Sequence, residues 1–132
     1  MATWDDVSRL ALAMPNATEI QMRGNRAWKV GDKLFVWERP LRPSDLAALG
    51  SAAPSGPILG ARVEHLGAKD ALIQSEPAVF FTTPHFDNYP AVLIRLPEIP
   101  LDELEEIVAE AWLARAPKRL AKGYLDGLGE TS

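Results

Sequence analysis

The residues best equipped for chemistry sit between two prolines. Pro84 and Pro90 enclose His85, Phe86, Asp87, Asn88 and Tyr89. Imidazole titrates near neutral pH, so His85 is the candidate for proton transfer. Asp87 could orient that ring, and Tyr89 could donate a hydrogen bond. His85, Asp87 and Tyr89 therefore form a candidate small-ligand site. A purely structural reading competes with it. Asp87-Asn88 is an ordinary turn pair, and Phe86 and Tyr89 can close a core edge. Catalysis would need an activated nucleophile and a third orienting group, and neither is recognisable. No catalytic residue is assigned, and a binding role is favoured over an enzymatic one.

Metal and cofactor chemistry find less support. The chain has two histidines, His65 and His85, and no cysteine. On an extended loop His85 and Asp87 point apart, and His65 is remote in sequence. No metal site is assigned. The glycines match neither a P-loop nor a dinucleotide fingerprint, so no cofactor is expected.

A second kind of chemistry is electrostatic. Net charge is −4 over 132 residues, which excludes a surface that is basic all over. The charge is unevenly spread. Ile20–Ser44 carries Arg23, Arg26, Lys29, Lys33, Arg39 and Arg42 against Asp32 and Glu38. Trp112–Tyr124 carries Arg115, Lys118, Arg119 and Lys122 with no acid, whereas Glu98–Glu110 carries six acids and no base. Arg26, Lys29 and Lys33 on a hairpin, with Arg115, Lys118 and Arg119, are the candidate nucleic-acid contacts. A wing with a basic tip and an exposed Trp28 would suit phosphates and bases. The alternatives are solvated charge for the basic residues and core packing for Trp28, Trp37 and Trp112.

These groups need a scaffold, and the chain supplies one. Its length and 47% apolar content suit one domain spanning residues 1–132, with a flexible tail over 126–132. The N-terminus lacks a signal-peptide pattern, and no run reaches the ~18 apolar residues of a membrane span. A soluble cytoplasmic protein without membrane contact is expected.

Thr3–Met14 reads as a helix, capped by Thr3, with Trp4, Val7, Leu10, Ala11 and Met14 on one stripe. Thr18–Arg23, Arg26–Val30 and Lys33–Glu38 read as an antiparallel meander, with turns at Gly24-Asn25 and Gly31-Asp32. Alternation puts Leu34 and Val36 opposite Phe35 and Trp37. Ser44 is expected to cap a helix over Asp45–Leu49, followed by a mobile loop, Ser51–Pro57. Ile58–His65 reads as a strand with a possible bulge at Gly60. Ala68–Ser75 reads as a helix, and Ala78–Thr83 and Ala91–Leu96 as strands. Leu101–Leu113 and Lys118–Leu125 are the last helices. This pattern predicts an α+β domain, with an antiparallel sheet of five or six strands packed against helices on one main face. It does not determine strand order.

Leu12-Ala13-Met14-Pro15, Glu19, and Arg26 through Phe35 (RAWKVGDKLF) resemble the MmcQ/YjbR family. Pro90–Ile94, Leu101–Leu104 and Ala111-Trp112-Leu113 continue the likeness, which runs from about Val7 to Tyr124. The resemblance implies a CyaY-like two-layer sandwich and a DNA-binding label based on double-wing fold analogy. DNA and a small molecule are thus the partners to test, with a structural interaction module as a third reading. No oligomeric state is indicated.

Overall fold

The computed structural model describes residues 2–54 and 56–130. Helix α1 (Trp4–Leu12) starts at a capping box: Thr3 Oγ1 accepts from the Asp6 N–H at 3.2 Å, and Asp6 Oδ2 accepts from the Thr3 N–H at 2.9 Å. Its Val7, Leu10 and Ala11 are buried, as the stripe predicts. Six strands follow: β1 (Ala17–Met22), β2 (Asn25–Val30), β3 (Lys33–Glu38), β4 (Ile58–Arg62), β5 (Phe80–Phe81) and β6 (Ala91–Arg95). They form one sheet in the order β1-β2-β3-β4-β6-β5, with every neighbouring pair antiparallel.

The meander is present, with one turn shifted. Met22 pairs with Asn25, so the first turn is Arg23-Gly24, at φ 53° and 83°. The strands' right-handed twist requires positive φ at both positions. The second turn, Gly31-Asp32, lies where expected.

Helix α2 (Pro43–Leu49) begins earlier than expected. Pro43 takes the first helical position, and Asp45 Oδ2 accepts from the Arg42 N–H at 2.9 Å; Ser44 is not the cap. Strand β4 stops at Arg62, because His65 serves as the cap of helix α3 (Leu66–Ser75). Gly60 is not a bulge: pairing runs unbroken through it, with Trp37 on one side and Leu93 on the other. The expected strand Ala78–Thr83 contracts to Phe80–Phe81. Helix α4 (Leu101–Arg115) outruns its expected end, and helix α5 (Lys118–Glu130) continues through 126–130. The rest of the expected tail, 131–132, lies outside the described residues, as does Ser55 in the expected mobile loop.

Helices α1, α3 and α4 pack on one face of the sheet over Trp28, Phe35, Val36, Phe80 and Ile94. Two polar anchors tie this layer together. Trp112 on α4 donates its indole N–H to the Pro15 carbonyl at 2.9 Å. Glu19 on β1 accepts from Ser8 of α1 at 2.6 Å and from the Trp28 indole at 3.0 Å. The other face has a smaller cluster of Ile58, Phe81, Phe86, Ala91 and Leu93, with Trp37, Leu41 and Leu49 against it.

Which residues of β3 belong to which face departs from simple alternation. The β2–β3 register shifts between Trp28 and Lys29: Trp28 pairs with Val36, and Lys29 with Leu34. Phe35 is the extra residue. Phe35 and Val36 therefore both enter the helix-side core, while Leu34 and Trp37 share the opposite face. No helix among the described residues is long and apolar enough to cross a membrane.

Candidate functional site

The face opposite helices α1, α3 and α4 carries a cleft of about 380 Å³. Leu34 and Trp37 of β3 line it, together with His85, Phe86 and Tyr89 of the Pro84–Pro90 loop. Lys33 of β3, Arg62 of β4 and Arg115 at the end of α4 bring positive charge to it. Its acid is Asp32, in the β2–β3 turn. None of Lys33, Arg62 and Arg115 has a carboxylate within 4.0 Å among the described residues. The Nε atoms of Arg62 and Arg115 are buried and without a hydrogen-bond partner among those residues. Unpaired buried donors are costly, because water's hydrogen bonds have been removed and not replaced.

The loop that brings His85 and Tyr89 here is held from behind. Its first residues, Pro84–Phe86, form a single 3-10 turn. Lys69 of α3 is 3% exposed and donates Nζ to the carbonyls of Phe86 and Tyr89, at 2.5 and 3.1 Å. Burial pushes its ammonium below the ordinary lysine range, and the charges of Asp87 and Asp70 oppose that shift. Asn88 takes φ 62°, a left-handed conformation that asparagine tolerates, and so closes the turn. Phe86 is buried, 6.4 Å from the Trp37 ring.

His85 is exposed and meets the Phe86 ring edge-on at 4.8 Å. No hydrogen bond links it to Asp87 among the described residues. Asp87 is exposed, and its charge acts on Lys69. Tyr89 is 44% exposed, and its hydroxyl accepts from Arg62 Nη1 at 2.9 Å. The Arg62 guanidinium carbon also lies 4.9 Å from the Tyr89 ring centroid. The cleft thus unites His85 and Tyr89 with Lys33 and Arg115, which the sequence assigns to a different candidate site. Asp32, Leu34, Trp37, Arg62 and Phe86 line the cleft without belonging to either candidate site. The available signal for Arg62 was a lone cation ending an apolar strand, Ile58-Leu59-Gly60-Ala61.

The basic hairpin has another structure. Trp28 is 0% exposed and stacks against Trp4 at 6.4 Å, so its ring is closed to a base. Arg26 lies over that ring, 5.3 Å from its centroid, and pairs with Glu19 at 2.9 Å and Asp5 at 3.8 Å. The Arg26 hydrogen bonds, followed by that from Ser8, hold Glu19 below the usual carboxylate range; Arg26 is raised in turn. Lys29 lies on the cleft's side of the sheet, opposite Leu34, but outside the cleft lining. Lys118 and Arg119 are exposed in the first turn of α5 and do not line it either. His65 uses Nδ1 to accept from the Ala68 N–H at 3.0 Å, a capping role remote from His85. Among the described residues no group of three His, Cys, Asp or Glu side chains could hold a metal ion.

Relatives place this architecture. A crystal structure of a Deinococcus radiodurans protein with a DUF419 domain superposes with a TM-score of 0.68. It is 18% identical, with 98% of this chain and 89% of that chain covered. Uncharacterized proteins of Mycobacterium bovis and Mycobacterium tuberculosis are 54% identical over 132 residues, covering 98% of this chain and 100% of theirs. The YjbR family model matches residues 12–114, most of the chain. The chain belongs to the YjbR family.

Proposed function

We propose that this chain is a binding protein for a small anionic molecule held in the cleft over Leu34 and Trp37. One observation carries the reading. Lys33, Arg62 and Arg115 line a single cleft, with no carboxylate within 4.0 Å of any of them among the described residues. Arginine presents a planar fork matched to phosphate and carboxylate oxygens. The cleft's volume of about 380 Å³ falls in the ordinary small-ligand range of about 300–1,000 Å³. Tyr89 steadies Arg62, and Lys69 steadies the loop bearing Tyr89.

Duplex DNA is the second reading, favoured by the meeting of Lys33 and Arg115 on one surface. Burial of Trp28 and pairing of Arg26 leave the hairpin less to offer it. One titration series separates the two. Inorganic phosphate and a short duplex are titrated by calorimetry at low and physiological salt. Arg115→Ala and Lys33→Ala should each weaken phosphate binding by about tenfold or more while leaving the fold intact. Duplex binding that is steeply salt-dependent, with no phosphate binding, would reverse the order of the readings. Indifference of phosphate binding to both substitutions would remove the cleft reading.

A further inference from the structure

A second depression, of about 710 Å³, adjoins the cleft. The two share Leu34, Trp37, His85 and Phe86, so they form one continuous trough. Four arginines line the second part, and they are not equivalent. Arg26 is engaged by Glu19, and Arg39 by Asp45 at 3.1 Å. Arg23 and Arg42 are exposed, with no carboxylate within 4.0 Å among the described residues. The carboxylate of this part, Glu38, accepts from the Arg26 N–H at 3.0 Å.

The trough is therefore cationic at both ends and aromatic in the middle. Trp37 is the fixed element of that middle. A Cβ on Gly60 would fall 2.4 Å from its indole, so only glycine there allows the ring its present position. Phe86 flanks it from the loop.

We infer that the trough takes a ligand with a flat ring between two separated anionic groups, the chemistry of a nucleotide phosphorylated on both sides. The ring stacks on Trp37. One phosphate meets Arg62 and Arg115, and the other meets Arg23 and Arg42. This inference rests on the anion-binding reading of the cleft. A free nucleoside bisphosphate and a single-stranded oligonucleotide share this chemistry.

Calorimetry on the full chain tests it with four probes: inorganic phosphate, adenosine 5′-monophosphate, adenosine 3′,5′-bisphosphate and a single-stranded tetra-deoxyadenylate. The bisphosphate should bind about tenfold more tightly than the monophosphate. Arg42→Ala should remove that advantage, weakening the bisphosphate by a larger factor than the monophosphate. Trp37→Leu should weaken both adenosine nucleotides by a larger factor than inorganic phosphate. A tetranucleotide that binds more tightly than the bisphosphate supports the inference with a strand as the source; weaker or equal binding supports it with the free nucleotide. Equal affinity for mono- and bisphosphate, or indifference of both to Trp37→Leu, overturns the inference while the cleft reading stands. If neither inorganic phosphate nor any nucleotide binds, the cleft reading itself fails.

Discussion

The two faces of the sheet use the same residue types to opposite ends. On the helix side, Trp28 and Trp112 are fully buried, and each indole N–H has a named acceptor, Glu19 and the Pro15 carbonyl. The nearby cation, Arg26, is matched by Glu19 and Asp5. On the other side, Trp37 is half-buried, Tyr89 is exposed, and Lys33, Arg62 and Arg115 lack carboxylates among the described residues. An aromatic residue or an arginine is thus no guide to function by itself. What separates the faces is whether the chain supplies the partners. A completed set gives a core; an incomplete set next to open space is what the binding proposal rests on.

That contrast can be tested by stability and binding together. Trp28→Ala should cost about 3–5 kcal/mol in urea unfolding, since it leaves a large cavity and frees Glu19. Trp37→Ala should cost less, because its ring is only partly buried, while its effect on ligand binding is the larger. Equal stability losses would break the contrast. Gly60→Ala comes next, at about 1–3 kcal/mol, by forcing the Trp37 indole off the sheet. Its near-ultraviolet dichroism should change for Trp37 while the helix-side core keeps its packing, an outcome to be read by comparison with Trp37→Phe.

The smallest effect lies on the helix layer's outer surface. Burial, aided by the hydrogen bond shared with Glu76 and by the charges of Glu76, Asp102 and Glu106, pushes the Glu103 carboxyl up to about 7 from 4.5. A folded-state value above the unfolded one means that the folded chain keeps this proton longer. Its stabilising contribution is complete below about pH 4.5 and is lost as pH rises through about 7. Glu103→Gln should flatten this decline. Because water screens the site, the difference in melting temperature between pH 5 and 8 should be only about 2 °C. An unchanged slope would show that Glu103 does not titrate in this window.

Much of the architecture was legible because it rests on local chemistry. Thr3 and Asp6 announce the first helix, Gly31-Asp32 announces a hairpin turn, and the spacing of Leu104, Ile107, Val108, Ala111 and Trp112 gives the buried stripe of α4. The errors fall where tertiary context overrides local signals. Arg23 adopts a conformation that arginine disfavours because the pairing of Met22 with Asn25 demands it. His65 looks like the end of a strand until the helix behind it needs a cap. The candidate site was half legible. His85 and Tyr89 stood out by density, and Lys33 and Arg115 by charge. Nothing in sequence spacing says that residues 33, 62, 89 and 115 meet, because that follows from β3 and β4 lying side by side with the end of α4 beside them.

The extra residue at Phe35 has a consequence for how this family is compared. It acts as a change of reading frame in space: from Val36 onward, odd and even positions exchange the faces they would hold in an unbroken ladder continued from Lys33. Two relatives differing by one residue in this strand could align well by letter yet present different side chains to the trough. Homologous positions here should be counted from the Trp28–Val36 pair outward, and a single-residue deletion near Phe35 becomes a route by which evolution could preserve Trp37's outlook while remodelling the core beneath it.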